Sequence, residues 1–224
     1  MQHIRLNPVR DAVFSAINSD ARAEALHQFF RHGAHIFVLA GAVRDAIAAH
    51  YEGEGKGDSR DLDIAVANVG RELFDDVLGG VGKKNRHGGY VLNRPDALNW
   101  DIWRLEETIG LKKTGAQCSI ENVLRSFNLD CNAIALDVST GLFLDAGAIE
   151  AIRKKRLGFV ENVIRHSTDT FAAKALLLNL RSGLQLTSEM ERFVSRHLRT
   201  GSLQYETAKV FPGAVYLRSL SPES

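Results

Sequence analysis

Cysteine is nearly absent from this 224-residue chain: there are two, Cys118 and Cys131. Neither belongs to a CxxC pair, which argues against a zinc site. With no N-x-S/T sequon and no signal-like start, the low cysteine count leads to an expectation of the cytoplasm. Long apolar runs are missing, so no membrane span is expected. A charge excess is missing too. The net charge of +1 gives no general basic field for nucleic acid, and any RNA contact must come from a local patch. Two runs could supply one, Lys83, Lys84, Arg86 and His87, and Arg153 to Arg156; solvated surface is the plainer reading of each alone. Repeats and low-complexity segments are absent. The pattern G-x-x-x-x-G-K-S/T is absent as well, which excludes a P-loop enzyme.

What is present is an ordinary globular composition, 45% hydrophobic and 25% charged, enough to bury a core. Val9, Val13, Ile17, Ala21, Ala25 and Phe29 recur every four residues, which predicts one amphipathic helix over 8–30. The run Ile36 to Ala40 predicts a buried strand stopped at Gly41, followed by a helix over 42–50. Residues 52–60 carry three glycines and five charges and read as a loop. Strands are predicted at 61–67, 88–92 and 98–105, with a helix at 70–79 and a short one at 120–126. A hairpin is expected from 131–138 and 142–144, then a basic helix over 148–156. Helices follow from Thr168 and at 188–198, while the last twenty residues give no clear pattern. A shift of composition near residue 160 divides a mixed part, 1–160, from a helical appendage, 161–224.

The chemistry is carried by acids. Asp61 and Asp63 flank Leu62 in a strand, so both side chains face the same way. Two like charges on one face repel, and a divalent cation relieves that repulsion. Asp101 lies in Asn99-Trp100-Asp101-Ile102-Trp103, again an apolar strand. An acid there is either paired, with Arg104 or Arg44, or functional. A third carboxylate on a neighbouring strand would complete a site for two ions about 3.5–4 Å apart. Upstream, Leu39-Ala40-Gly41-Ala42-Val43-Arg44-Asp45 is a strand, a small-residue turn and a helix start. Small residues let a backbone approach phosphate, helix N–H groups favour it, and Arg44 could grip it bidentately.

These segments in this order resemble a known family. The runs LAGAVRDAI, DLDIAVAN and DIWRLEET are similar to the head of poly(A) polymerases and CCA-adding tRNA nucleotidyltransferases, in the DNA polymerase β superfamily. That head carries Gly-Gly-x-x-Arg-Asp, then Asp-x-Asp, then a further acid. Ser126 to Ala133 resembles the family's Arg-Arg-Asp-Phe-Thr-Ile-Asn-Ala segment, Gly141 to Gly147 its "liDp-x-gG" turn, and Phe171 to Leu184 its neck helix, with Lys174 and Arg181 near basic positions. The match spans roughly residues 34–187.

The resemblance implies an α+β fold: a polymerase β-like mixed sheet flanked by helices, with a small C-terminal helical appendage. It implies that Asp61 and Asp63 bind Mg²⁺ or Mn²⁺ and that Asp101 is the third acid. It implies that Ala40, Gly41 and Arg44 meet the triphosphate of an NTP, ATP or CTP. Asp45 would brace the turn, and Asn132 would lie near the ribose. The reaction would be hydroxyl attack on the α-phosphorus with release of pyrophosphate, onto RNA or tRNA, a protein or a small molecule. Departures from the family pattern are Ala40 for its first glycine, Ser126-Phe127-Asn128 for Arg-Arg-Asp, and no Glu-Asp-x-x-Arg motif downstream. The chain also stops where a CCA-adding enzyme continues into the body that grips tRNA. That stub of neck would expose apolar surface able to pair with a second copy or a partner protein. Two other classes compete. Metal-dependent glycosyltransferases share D-x-D but not the Gly-Ala-x-Arg-Asp turn, and a non-catalytic nucleotide- or RNA-binding module would suit the altered 126–128 segment.

Overall fold

In the computed structural model of the chain, residues 2–18, 22–53, 61–93, 98–160 and 168–210 are described. Two compact units emerge: residues 1–154 with 159–164, and residues 155–158 with 165–224.

The first unit is built on one eight-stranded sheet. Its strands are β1 (Gln2–Ile4), β2 (His35–Leu39), β3 (Asp61–Ala67), β4 (Lys83–Lys84), β5 (Tyr90–Leu92), β6 (Asn99–Arg104), β7 (Ile134–Asp137) and β8 (Leu142–Asp145). They lie in the order β1-β8-β7-β2-β3-β6-β5-β4. The β3–β6 pairing is parallel and the other pairings are antiparallel, so the sheet is mixed, as the resemblance implies. Its helices are α1 (Asn7–Asn18), α2 (Ala23–Arg31), α3 (Gly41–Glu52), α4 (Arg71–Gly79), α5 (Ile109–Thr114), α6 (Ile120–Arg125) and α7 (Ala148–Arg153).

Alternation sorts the central strands into two faces. Ile36, Val38, Leu62, Ile64, Val66, Trp100 and Ile102 share one face and are all but inaccessible. The helices α2 and α4 cover it. Phe29 of α2 stacks on Phe74 of α4 at 5.6 Å between ring centroids, and Phe74 meets Tyr90 of β5 edge-on at 5.9 Å. Trp100 is therefore core. Arg22 lies 4.6 Å over its ring and donates to the carbonyls of Leu92 and Leu98, which satisfies a buried cation. The other face carries Phe37, Leu39, Ala65 and Ala135 under Leu111 of α5 and Val123 and Leu124 of α6. Asp61, Asp63 and Asp101 belong to this second face.

Several boundaries differ from the sequence expectation. Residues 8–30 form two helices, not one, with 19–21 outside the described residues. A strict four-residue repeat overshoots a helical turn by about 40° per step, so one straight helix would carry those side chains around its axis instead of into one core. The strand expected from Cys131 begins at Ile134, because Asp130–Asn132 is a 3₁₀ turn. The helix expected to reach 156 stops at Arg153; Lys155 takes φ 47°, which no helix continues through. α7 starts at the Asp145 carboxylate, which accepts the N–H groups of Gly147, Ala148 and Ile149. The loop expected at 52–60 falls mostly on 54–60, outside the described residues.

The second unit holds β9 (Arg156–Leu157), α8 (Thr168–Ser182), β10 (Gln185–Leu186), α9 (Ser188–His197) and α10 (Thr200–Val210). β9 and β10 pair in parallel. Phe171 and Phe193 join α8 to α9 at 5.4 Å, and Ser202 of α10 donates to Asp169 of α8 at 2.6 Å. The last twenty residues show no clear pattern in sequence, yet α10 continues to Val210; residues 211–224 lie outside the described residues. No described helix is long and apolar enough to cross a membrane.

Candidate active site

β3 and β6 run side by side in register, with Asp61 opposite Asn99 and Asp63 opposite Asp101. Paired residues of parallel strands project to the same face, so the three acids named from the sequence come together at one end of it. Asn99 donates to Asp61 at 3.4 Å. Asp61 is exposed, while Asp63 and Asp101 are half-buried above the apolar cluster of Leu39 and Ala65. Burial holds the Asp101 carboxyl above the ordinary aspartate range, and the Asp61 charge adds to this; His87 and a hydrogen bond from Asn85 at 3.3 Å oppose it.

The consequence for stability has a definite sign. A carboxyl whose folded pKa is raised favours folding fully only below its unfolded pKa, and that contribution is lost as pH rises through the folded value. Asp101→Asn is therefore expected to raise Tm at pH 7 in EDTA, with the gain shrinking as pH falls toward the ordinary aspartate range. Melting curves at pH 4, 5.5 and 7 check this. A gain equal at all three pH values would show that charge is not its cause.

The small-residue turn lies next to the acids. β2 is antiparallel to β3, with Leu39 opposite Asp63, so the turn from Ala40 begins beside the start of β3. Ala40 adopts φ 51°, ψ −113°, a conformation suited to glycine, and it stands where the family pattern has glycine. Its N–H donates to Ile134 and its carbonyl accepts from Arg44, so strand and helix both hold the strained residue in place. Ala40→Gly is expected to stabilise by about 1 kcal/mol, raising Tm by about 2–4 °C. A fall in Tm would mean that the methyl packing outweighs the strain.

Arg44 is 5% exposed. Its guanidinium grips Asp45 through Nε at 2.7 Å and Nη2 at 2.6 Å, and Nη1 donates to Asn132 Oδ1 at 2.6 Å. Three residues assigned to nucleotide binding thus form one buried network joining α3 to the 3₁₀ turn before β7. These contacts engage three of the five guanidinium N–H groups. Ser126 donates to Val123 at 2.7 Å and Phe127 packs on the second-face cluster, so the two residues that stand for Arg-Arg serve the fold. Trp103 stands two residues beyond Asp101, half-buried, with its indole N–H on Thr108 at 3.0 Å. No sequence spacing singles out Asn85; the only cue is the Gly88-Gly89 pair that ends its turn.

Three carboxylates supply the hard oxygen donors that Mg²⁺ prefers; burial and, after it, the Asp61 charge disfavour ionised Asp101, and a cation would offset both. Among the described residues, no three His, Cys, Asp or Glu side chains are close enough to hold an ion by themselves. Substrate oxygens would have to complete any coordination.

No family model matches the chain, and no curated protein matches it in sequence. Solved structures do match. The Thermotoga maritima CCA-adding enzyme complexed with tRNA aligns with TM-score 0.59 and 18% identity, over 92% of this chain and 48% of that one. A CCA-adding enzyme in complex with ATP gives TM-score 0.64 and 17% identity, over 94% and 52%. A CCA-adding enzyme in complex with CTP gives 0.63 and 18%, over 95% and 52%. The chain spans about half the length of these proteins. At this identity the likeness is one of fold: the chain has the nucleotidyltransferase fold that CCA-adding enzymes share.

Proposed function

We propose that the chain is a metal-dependent nucleotidyltransferase that moves NMP from an NTP, ATP or CTP, onto a hydroxyl acceptor, the 3′ end of an RNA foremost. The observation that carries the reading is the register of β3 and β6, which sets Asp63 beside Asp101 with Asp61 on the same face. ATP, CTP and tRNA are bound in the structures it resembles, which favours the same ligand classes here. Residues 1–160 would be the catalytic head and residues 161–224 a neck-like appendage. The two free thiols suit the cytoplasm.

Asp61 and Asp63 would hold Mg²⁺ or Mn²⁺ with substrate phosphate oxygens. The cation's contribution is to polarise the α-phosphorus and to offset charge on the leaving pyrophosphate. Asp101 orients the attacking hydroxyl and accepts its proton as the new O–P bond forms and the α–β bridging bond breaks. An acid held above the ordinary range by burial is suited to that transfer. The backbone at Gly41 would approach the triphosphate, and Arg44 would brace the turn through Asp45 and Asn132.

A second reading is a non-catalytic module that binds nucleotide or RNA. The structural use of Ser126 and Phe127, where the family pattern is basic, favours it. One assay separates the two. Each α-³²P-labelled NTP is incubated with Mg²⁺ or Mn²⁺ and a cell extract containing RNA and protein, with an Asp61→Asn/Asp63→Asn double variant as control. Label on RNA or on a protein band, absent with the variant, supports transfer and identifies the acceptor class. Nucleotide binding without label in any lane supports the module.

A further inference from the structure

The turn between β4 and β5 stands against the acid of β6. Asn85 opens this turn, its N–H donating to the Gly89 carbonyl at 2.8 Å while the Gly88 N–H returns to the Asn85 carbonyl at 3.2 Å. The Asn85 side-chain oxygen accepts the N–H groups of His87 at 2.9 Å and Gly89 at 3.1 Å. Two backbone donors on that oxygen fix the orientation of the amide. The amide nitrogen is thereby aimed at Asp101, where it donates to Oδ1 at 3.3 Å.

The turn itself is clamped. Arg71 of α4 donates to the Gly88 carbonyl at 2.8 Å and pairs with Glu107, while Lys84 and Tyr90 both bond Asp75 of α4. Gly88 takes φ +92°, and a Cβ at Gly89 would meet the Ile102 carbonyl oxygen at 2.7 Å. The turn is pressed onto β6 as closely as glycine allows. Asn85 is thus a rigidly held donor aimed at one oxygen of a half-buried carboxylate.

We infer that Asn85 is the positioning residue of Asp101: its amide holds Oδ1, sets the carboxylate rotamer and leaves Oδ2 for the cation and the attacking hydroxyl. This rests on the reading of Asp101 as the third acid. An acid free to rotate would spend much of its time aimed away from Asp63, and a second partner that removes this freedom acts on turnover without touching substrate.

Asn85→Asp isolates the role. Aspartate keeps the oxygen that the two backbone N–H groups need, so the turn survives, but it loses the donor and sets a like charge against Asp101. The full chain is assayed as wild type, Asn85→Asp, Asn85→Ala and Asp101→Asn, with kcat and KM for the NTP, Tm, and the Mn²⁺ dissociation constant by electron paramagnetic resonance in the presence of a non-hydrolysable NTP analogue. The expected result for Asn85→Asp is a kcat about 10–100-fold lower, the range typical of outer-shell partners. Its KM should change less than about threefold and its Tm should stay near that of wild type. Asn85→Ala should weaken Mn²⁺ binding by about tenfold, a readout that stands even without turnover. Wild-type kcat in Asn85→Asp beside an inactive Asp101→Asn overturns the inference and leaves the site reading intact. Unchanged Mn²⁺ affinity in Asn85→Ala overturns it as well. Wild-type kcat in Asp101→Asn removes the third acid itself, and the inference falls with it.

Discussion

Asp63→Asn is expected to lower kcat/KM for NMP transfer by at least about 10³-fold while leaving the fold intact. Asp63 is the acid with the most neighbours in the proposed chemistry: it pairs across the ladder with Asp101 and follows Asp61 on the same face. A cation at such a site supplies several kcal/mol of transition-state stabilisation, and about 4 kcal/mol corresponds to 10³ in rate. Asparagine keeps the shape and the strand pairing but removes the charge that holds the ion. It also removes like-charge repulsion with Asp101, so Tm in EDTA should hold or rise slightly. Transfer of labelled NMP and a melting curve check the two halves separately. Wild-type transfer would dismiss the carboxylates as the metal site. Collapse of the metal-free variant would make Asp63 a structural residue instead.

The second large effect is on stability. Arg44→Met is expected to destabilise the protein by about 3–5 kcal/mol, because a buried partner is removed while Asp45 and Asn132 remain. Arg44 is 6% exposed at its side chain and Asp45 13%, so the orphaned carboxylate cannot readily hydrate. For a chain of this size the loss corresponds to a fall in Tm on the order of 10 °C. Asn132→Ala, which removes a neutral acceptor and leaves the Arg44–Asp45 pair, should cost less, about 1–3 kcal/mol. Differential scanning calorimetry decides. If Tm stays within about 2 °C of wild type in Arg44→Met and KM for the NTP rises instead, the guanidinium serves the ligand more than the fold.

These two sites were legible in the sequence to different degrees. Asp61 to Ala67 alternates acid and apolar residues, so both the strand and the shared face of Asp61 and Asp63 follow from its period of two. Asp101 could be recognised as an acid in an apolar strand. The meeting of Asp63 and Asp101 could not, since it depends on β3 and β6 pairing in parallel across an intervening helix and two strands. Arg44 could be named as a phosphate ligand from the motif, whereas its hydrogen bond to Asn132, 88 residues away, exists only once the 3₁₀ turn docks on α3. The four-residue repeat over 8–30 was real as hydrophobicity but was shared between two helices. Asn85 carried no cue beyond the Gly88-Gly89 pair, because its role depends on a turn oriented by those glycines and clamped by Arg71.

Thus the chain alone determined the six inner strands of the large sheet, most helices, the acids and their order, because periodicity and residue type express local backbone geometry and intrinsic chemistry. The tertiary structure alone decided which acids adjoin, that Ala40 is strained, and that Arg44 points inward to Asp45 and Asn132. Those outcomes depend on strand register and on burial, and both are set by residues distant in sequence that compete for the same core.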